Sequence, residues 1–298
     1  LEAQLDFWRQ ELAGAPALLE LPTDRPRPAV QTYRGASISF GLPAEATAAV
    51  QALGRQAGAT PFMVLLAAFQ TLLHRWSGAD DVLVGSPIAN RNRMEIEELI
   101  GFFINTLVFR LRLRGGETFA TVLDRVGGAT LAGQEHQDLP FELLVEALKV
   151  PRSLAHNPLF QVLLALQNLP AGELRLSGLT FAPVELPATT AKFDLGLSFF
   201  EGDEWLGCSV EYSTDLFDRT TVSRLLSHLA VLLAGAAANP GQLLSDLPFL
   251  SEPEIQQVSR EWNDPPGRDE PFSSVSARLA AQAAPTPEAV AVDGAGAG

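Results

Sequence analysis

The residues of this chain that could carry chemistry are few: four histidines, one cysteine and three polar loop stretches. Gly-x-Ser-x-Gly, His-Glu-x-x-His and the Walker phosphate loop are all absent from the sequence, which removes the self-contained hydrolase, zinc-peptidase and nucleotide-binding signatures. Gly294-Ala-Gly-Ala-Gly298 follows no strand pattern and is not read as a phosphate loop. Cys208 lies mid-strand among apolar residues, so a packed thiol is expected there rather than a nucleophile. His74 and His228 sit beside leucines in helical patterns and are expected to be half-buried structural residues. His136 and His156 differ, because each belongs to a loop dense in polar residues and proline. In His136-Gln-Asp-Leu-Pro-Phe-Glu142, Asp138 is placed to cap a helix begun by Pro140. In Ile100-Gly-Phe-Phe-Ile-Asn-Thr-Leu107, Gly101 permits a bend. Asn105 and Thr106 open an otherwise apolar strand, where buried amides must find partners.

The elements that must hold these loops can be read from periodicity. Leu1, Leu5, Trp8 and Leu12 recur at helical spacing and predict a helix ending near Gly14. Leu21-Pro-Thr-Asp-Arg-Pro-Arg-Pro28 must be a loop, since its prolines forbid helix and central strand. Residues 37–40 read as a short strand. Thr60-Pro61 opens a long helix through Leu65, Phe69 and Leu72 to Trp76, with Gly78 as its stop. Strands are expected at 82–84, at 107–113 with one face buried, and at 160–166. Helices are expected at 119–131 and 141–148. Residues 193–200 and 205–212 form a hairpin turning at Gly202-Asp203. Asp218 is placed to cap a helix reaching about Gly235.

Charge and composition narrow the function. The net charge of −14 disfavours a phosphate backbone as partner, so no nucleic acid is expected. One cysteine excludes an intramolecular disulfide and a Cys-rich zinc site. No apolar run approaches the roughly 18 residues of a membrane span, no secretory leader is visible, and a cytoplasmic protein without membrane attachment is expected. The chain begins at Leu1 inside a helical pattern and is read as an excerpt of a longer one. From Ser251 the sequence turns charged and rich in Pro and Ala, as in an interdomain linker.

Taken together, the three loop stretches resemble those of nonribosomal peptide synthetase condensation domains. Ile100-Gly-Phe-Phe-Ile-Asn-Thr-Leu107, with Arg110, matches the family's Ile-Gly-x-Phe-Val-Asn-Thr motif. His136-Gln-Asp-Leu-Pro-Phe-Glu142 matches His/Asn-Gln-Asp-Tyr-Pro-Phe-Glu. Arg152-Ser-Leu-Ala-His-Asn-Pro-Leu159 resembles Arg-Asp-x-Ser-Arg-Asn-Pro-Leu, with Ser153, Ala155 and His156 in place of Asp, Ser and Arg. The resemblance implies an α/β fold, a chloramphenicol acetyltransferase-like mixed sheet flanked by helices. In that fold two like halves form a V around a tunnel. Residues 1–250 would be the C-terminal half, 251–284 a linker, and 285–298 the truncated start of an adenylation domain, since Pro285-Thr-Pro-Glu-Ala-Val-Ala-Val292 resembles such an opening.

The implied reaction joins a donor acyl thioester and an acceptor aminoacyl thioester into an amide. The family's catalytic His-His-x-x-x-Asp-Gly motif is not in this chain and would lie upstream, so no catalytic residue is expected here and the fragment alone is expected to be inactive. By resemblance, Arg91 pairs with the aspartate of that missing motif and braces its loop. Asn105 hydrogen-bonds near the tunnel, Asp138 and Pro140 organise a helix start, and Arg152 and Asn157 of the third motif line the tunnel or support its wall. The implied partners are the N-terminal half, upstream and downstream carrier domains with their 4'-phosphopantetheine arms, and a downstream adenylation domain. No cofactor of its own and no metal are expected. Two alternatives share the fold, an epimerisation-type domain and a non-catalytic platform that recruits partners. A plant-type acyltransferase would carry Asp-Phe-Gly-Trp-Gly, from which Lys192-Phe-Asp-Leu-Gly196 departs.

Overall fold

Thr60 and Gly78 show how local chemistry sets the elements. In the computed structural model the Thr60 hydroxyl accepts the backbone N–H of Met63, Pro61 occupies the first helical position, and Gly78 closes the helix in the left-handed conformation at φ 71°. The helix between them, Pro61–Ser77, is apolar almost all round and therefore buried. The structure describes residues 1–91, 95, 99–114, 116–167, 188–202, 205–263, 274–285 and 287–288.

In chain order the first unit contains α1 (Glu2–Glu11), β1 (Gly35–Gly41), α2 (Ala44–Ala57), α3 (Pro61–Ser77), β2 (Asp81–Ile88), β3 (Asn105–Arg112), α4 (Phe119–Glu135), α5 (Phe141–Ala147), β4 (Val162–Gln167), β5 (Leu195–Glu201), β6 (Leu206–Ser213) and α6 (Arg219–Ala238). The six strands form one sheet in the order β1-β6-β5-β4-β2-β3. The β4–β5 and β2–β4 neighbours are parallel and the rest antiparallel. This is the mixed sheet expected from the sequence.

Strand register puts Leu107, Phe109 and Leu111 on one face with Val82 and Val84, continued by Leu164, Leu197, Val210 and Ile38. Helices α2, α3, α4 and α6 pack on one another and against this apolar face. On the other face of β1, β6 and β5, Ser39, Ser209 and Ser198 lie side by side, half-exposed or exposed. The chain divides into two compact units, Leu1–Ser251 and Glu252–Gly298. The second contains α7 (Glu252–Gln256), which runs into a π-helical turn (Gln257–Glu261), and α8 (Val275–Ala283), whose cap is the Ser274 hydroxyl.

Several expectations need correction. Helix α2 was not anticipated, because its inward stripe of Ala46, Ala49, Val50 and Leu53 is largely alanine and alanine is a weak marker of burial. Strand β3 is buried on both faces, since Arg110 is only 7% exposed. Its guanidinium forms a two-pronged pair with Asp81 (2.8 and 2.7 Å) and donates to the Glu11 and Ala13 carbonyls, so the end of α1 covers that face. Asp218 precedes α6 without capping it. Its carboxylate is drawn to Arg25, and Asp24 supplies the capping oxygens to Asp218 N and the Thr221 hydroxyl. His228 is buried rather than half-buried, accepting from Trp76 Nε1 at 3.0 Å. As a helix, α6 is long and apolar enough to cross a membrane, at a mean hydropathy of 1.4, yet Leu225, Leu226, Leu229, Leu232 and Leu233 are buried within the first unit. Asp203 of the expected hairpin turn lies outside the described residues; the hairpin itself is present, closed by Gly202 N donating to Trp205 O.

Candidate functional site

Asn105 begins β3, and the sheet places it beneath the loop between α4 and α5. Its amide nitrogen donates to the carbonyls of Gln137 and Leu139, both at 2.8 Å. Its amide oxygen accepts from Thr106 N at 2.8 Å and Phe141 N at 3.1 Å. This fills the capacity of a primary amide, two donors and two lone pairs, at a residue 9% exposed. The sequence reasoning that a buried amide there needs partners is met, and those partners turn out to be the second motif.

The same bonds correct the expectation for Asp138. Pro140 occupies the N-cap of α5, no side chain in the helix start provides the cap, and the first helical N–H goes to Asn105 instead. Asp138 faces α1, where its carboxylate accepts from Gln4. Helix α1 holds the rest of the loop: Trp8 Nε1 donates to the His136 carbonyl at 2.9 Å, and the Phe7 ring stacks on the His136 imidazole at 3.9 Å. The His136 Nδ1–H reaches the Ala132 carbonyl. His136 is thus engaged in the fold on both its ring face and its carbonyl.

The third motif lies at the start of β4 and is built differently. Asn157 donates to the Lys192 carbonyl at 2.8 Å, while Arg152 is exposed. Gln161, 1% exposed, ties this loop to the segment after α1. Its amide nitrogen donates to the Asn157 and Ala17 carbonyls, and its oxygen accepts from Leu19 N. Beside it, Asp194 is 2% exposed and paired with Arg27. Sequence reasoning passed over Gln161, Arg27 and Asp194. The available signal was a carboxylate between Phe193 and Leu195 at the start of an apolar strand, which requires a buried cation somewhere.

A row of aromatics joins the two polar centres. Phe160 packs against Phe141 at 5.5 Å on one side and Phe193 at 5.4 Å on the other. Gly85 of β2 lies directly beneath: a Cβ there would fall 2.1 Å from the Phe160 ring. So Asn105, Asp138 and Pro140 come together at one centre, and Asn157 stands at the other. A cavity of about 480 Å³ beside the second centre is lined by Tyr33, Asn157, Thr190, Ala191, Lys192 and Phe193.

Arg91 follows β2 three residues after Ile88, the strand partner of Asn105, and its guanidinium lies 4.4 Å over the Phe103 ring. Residues around it carry apolar side chains into solvent: Leu99 is 52% exposed, Phe102 89% and Ile104 55%, and Ile100 is fully exposed. Cys208, by contrast, is packed in β6, and burial pushes its thiol up to about 12. Among the described residues no group of three or more His, Cys, Asp or Glu could hold a metal ion.

The condensation-domain family model matches residues 1–258. The chain belongs to the condensation-domain family. It is 51% identical over 266 residues to a linear gramicidin synthase of Brevibacillus parabrevis, covering 89% of this chain and 5% of that protein. It is 42% identical over 292 residues to malpinin synthetase of Mortierella alpina, covering 98% of this chain and 4% of that protein. Among solved structures, the X-domain from teicoplanin biosynthesis matches with a TM-score of 0.77 and 29% identity, over 84% of this chain and 57% of that one. A four-domain nonribosomal peptide synthetase bound to AMP and glycine matches with a TM-score of 0.75 and 25% identity, over 84% of this chain and 20% of that one. The fold is therefore the chloramphenicol acetyltransferase-like sheet of the condensation domains. The relatives belong to synthetases of antibiotics and other secondary metabolites, and the chain spans a small fraction of their length.

Proposed function

We propose that this chain is the C-terminal half of a condensation domain that joins a donor acyl thioester to the amine of an acceptor aminoacyl thioester, both carried on 4'-phosphopantetheine arms of neighbouring carrier domains. The observation that carries the reading is the contrast around Asn105. The family motif is fully hydrogen-bonded inward from Asn105 on, while Leu99, Ile100, Phe102 and Ile104 immediately before it meet solvent. Such an apolar ridge belongs against another protein surface, and the N-terminal half is the surface this reading assigns to it.

In this division residues 1–250 form the half-domain, 251–284 a linker, and 285–298 the start of a downstream adenylation domain, all in the cytoplasm. The upstream half contributes the proton-handling histidine of His-His-x-x-x-Asp-Gly. This half contributes channel wall and position, and proximity of the two arms supplies much of the rate. Arg91, beside the ridge, is the residue assigned to pair with the motif's aspartate. Asn105, Asp138 and Pro140 act by shaping the α4–α5 loop, and Arg152 and Asn157 by framing the cavity at the start of β4. A recruiting platform is the second reading. It draws on the likeness to the teicoplanin X-domain, which has also been solved in complex with OxyB (TM-score 0.76, 30% identity).

Reconstitution decides between them. The full domain, given carriers loaded with donor and acceptor, is expected to release the amide, whereas this chain alone is expected to release none. Amide formation by the isolated chain would overturn the division of labour, and none by the full domain would favour the platform. Replacing Arg91 with alanine in the full domain is expected to slow condensation. An unchanged rate would remove its assigned brace.

A further inference from the structure

The proline-rich strap at residues 21–28 is absorbed by none of the three family motifs, yet its charged side chains reach two separate places, the start of α6 and the third-motif loop. Asp24 accepts from Asp218 N at 2.7 Å and from the Thr221 hydroxyl at 2.9 Å, capping α6. Arg25 pairs with Asp218 at the surface. Arg27 turns inward: Nη1 lies 2.9 Å from Asp194 Oδ1, Nη2 meets Oδ2, and Nη1 also donates to the Ala155 carbonyl. Pro22, Pro26 and Pro28 each fix a backbone angle, so the strap approaches as a stiff strip rather than a flexible loop.

Four carbonyls around the third motif are held by donors other than the motif's own backbone, one of them by the strap. Leu154 O accepts from Gln31 N and Ala155 O from Arg27, while Asn157 O accepts from Gln161 Nε2 and Lys192 O from Asn157 Nδ2. Asp194 itself donates its N–H to the Gln161 carbonyl. Two residues bordering this region have left-handed backbone despite carrying side chains, Leu159 at φ 67° and Tyr33 at φ 58°. Left-handed backbone at such residues costs energy and persists only where the surroundings enforce it. Beside them stands the part-buried, two-pronged Arg27–Asp194 pair, which has a fixed geometry that a single hydrogen bond lacks.

We propose that Arg27 and Asp194 are positioning residues for the transfer reaction: through Ala155 and Gln161 they hold the third-motif loop and the cavity at Tyr33, Asn157 and Lys192 in the shape that seats a thioester-bound substrate. This role rests on the function proposed above. Arg27 and Asp194 touch no reacting atom; they act through the loop. Lysine is a poor replacement at position 27, because a point ammonium cannot span both carboxylate oxygens and the Ala155 carbonyl together.

The test uses the full condensation domain with both loaded carriers and three variants, Arg27→Gln, Asp194→Asn and Arg25→Gln. Arg25→Gln is the control, drawn from the same strap but with a surface pair that does not touch the loop. Hydrogen exchange across residues 152–160 and the kinetics of condensation are read on the same preparations, at a temperature where melting curves show every variant folded. Arg27→Gln and Asp194→Asn are expected to exchange faster in that loop and to lose kcat/KM by about tenfold or more, the scale on which small misplacements act, while Arg25→Gln matches the parent in both. Faster loop exchange with unchanged kcat/KM would overturn the positioning role and leave the pair as fold stability alone. So would loss of condensation with unchanged exchange, or an equal loss in Arg25→Gln. Absence of condensation by the parent domain would instead overturn the proposed function, a failure visible before any variant is compared.

Discussion

Residues 99–104 and residues 105–112 are consecutive in the chain and share between them the motif at residues 100–107, yet they treat water in opposite ways. The first group presents Leu99, Ile100, Phe102 and Ile104 to solvent. The second buries an amide and a guanidinium and satisfies both, Asn105 with four hydrogen bonds and Arg110 with Asp81 and two carbonyls. Apolar out and polar in is the reverse of ordinary folding preference. Each half makes sense on its own terms: buried polar groups are tolerated where every donor and acceptor is used, and an exposed apolar ridge is tolerated where another surface covers it. A single motif can therefore serve the fold at one end and an interface at the other.

The sharpest way to break this comparison is at its inward end. Asn105→Ala strands the Gln137 and Leu139 carbonyls and the Phe141 N–H, and should cost roughly 2–4 kcal/mol in urea unfolding. A cost below about 0.5 kcal/mol would mean water replaces the amide and the centre is not organised by it. Next comes Gly85→Ala, whose methyl meets a Phe160 ring already wedged between Phe141 and Phe193; a loss of about 1–3 kcal/mol is expected from overpacking. The companion Phe160→Ala change, by opening space, should relieve the added methyl in the double variant, and strict additivity would show that the clash is imaginary.

Cys208 gives a smaller, pH-resolved effect. Its thiol is held up to about 12 by burial, so the folded state favours the protonated form. That contribution is fully present below the ordinary thiol range, and stability should decline as pH climbs from about 9 toward 12. Iodoacetamide at pH 8 should therefore modify Cys208 only after denaturant is added; rapid labelling of the native protein would contradict the packed position. The smallest stability effect is expected at the outward end. Ile100→Ser with Phe102→Ser should move unfolding free energy by no more than about 0.5 kcal/mol, while association with the N-terminal half, followed by co-purification, is lost. A large drop in stability with association intact would reverse the comparison.

Much of the fold was legible because its signals are local. Thr60-Pro61 and Gly78 mark one helix by capping chemistry alone, and the alternation in residues 160–166 and 193–200 marks two strands. The stripe of α2 escaped notice because alanines can face either water or core, and only the packing of α6 and α3 against them decides which. At the candidate site, residue types pointed correctly to Asn105 as a buried amide in want of partners. Asp138 misled, since a carboxylate two residues before Pro140 fits a cap as well as it fits a bond to Gln4.

The sequence by itself determined the start and stop of the helix between Thr60 and Gly78, that the strands mix with helices, and that three stretches resemble one family, because each of these rests on neighbours within a few residues. The tertiary structure alone decided which carbonyls Asn105 holds, which acid Arg27 meets 167 residues away, and that the side chain capping α6 comes from Asp24 rather than Asp218. Those outcomes depend on which polar groups the sheet and strap bring together after the chain has collapsed. Once water is excluded each group must take the partner within reach, whatever its distance in sequence.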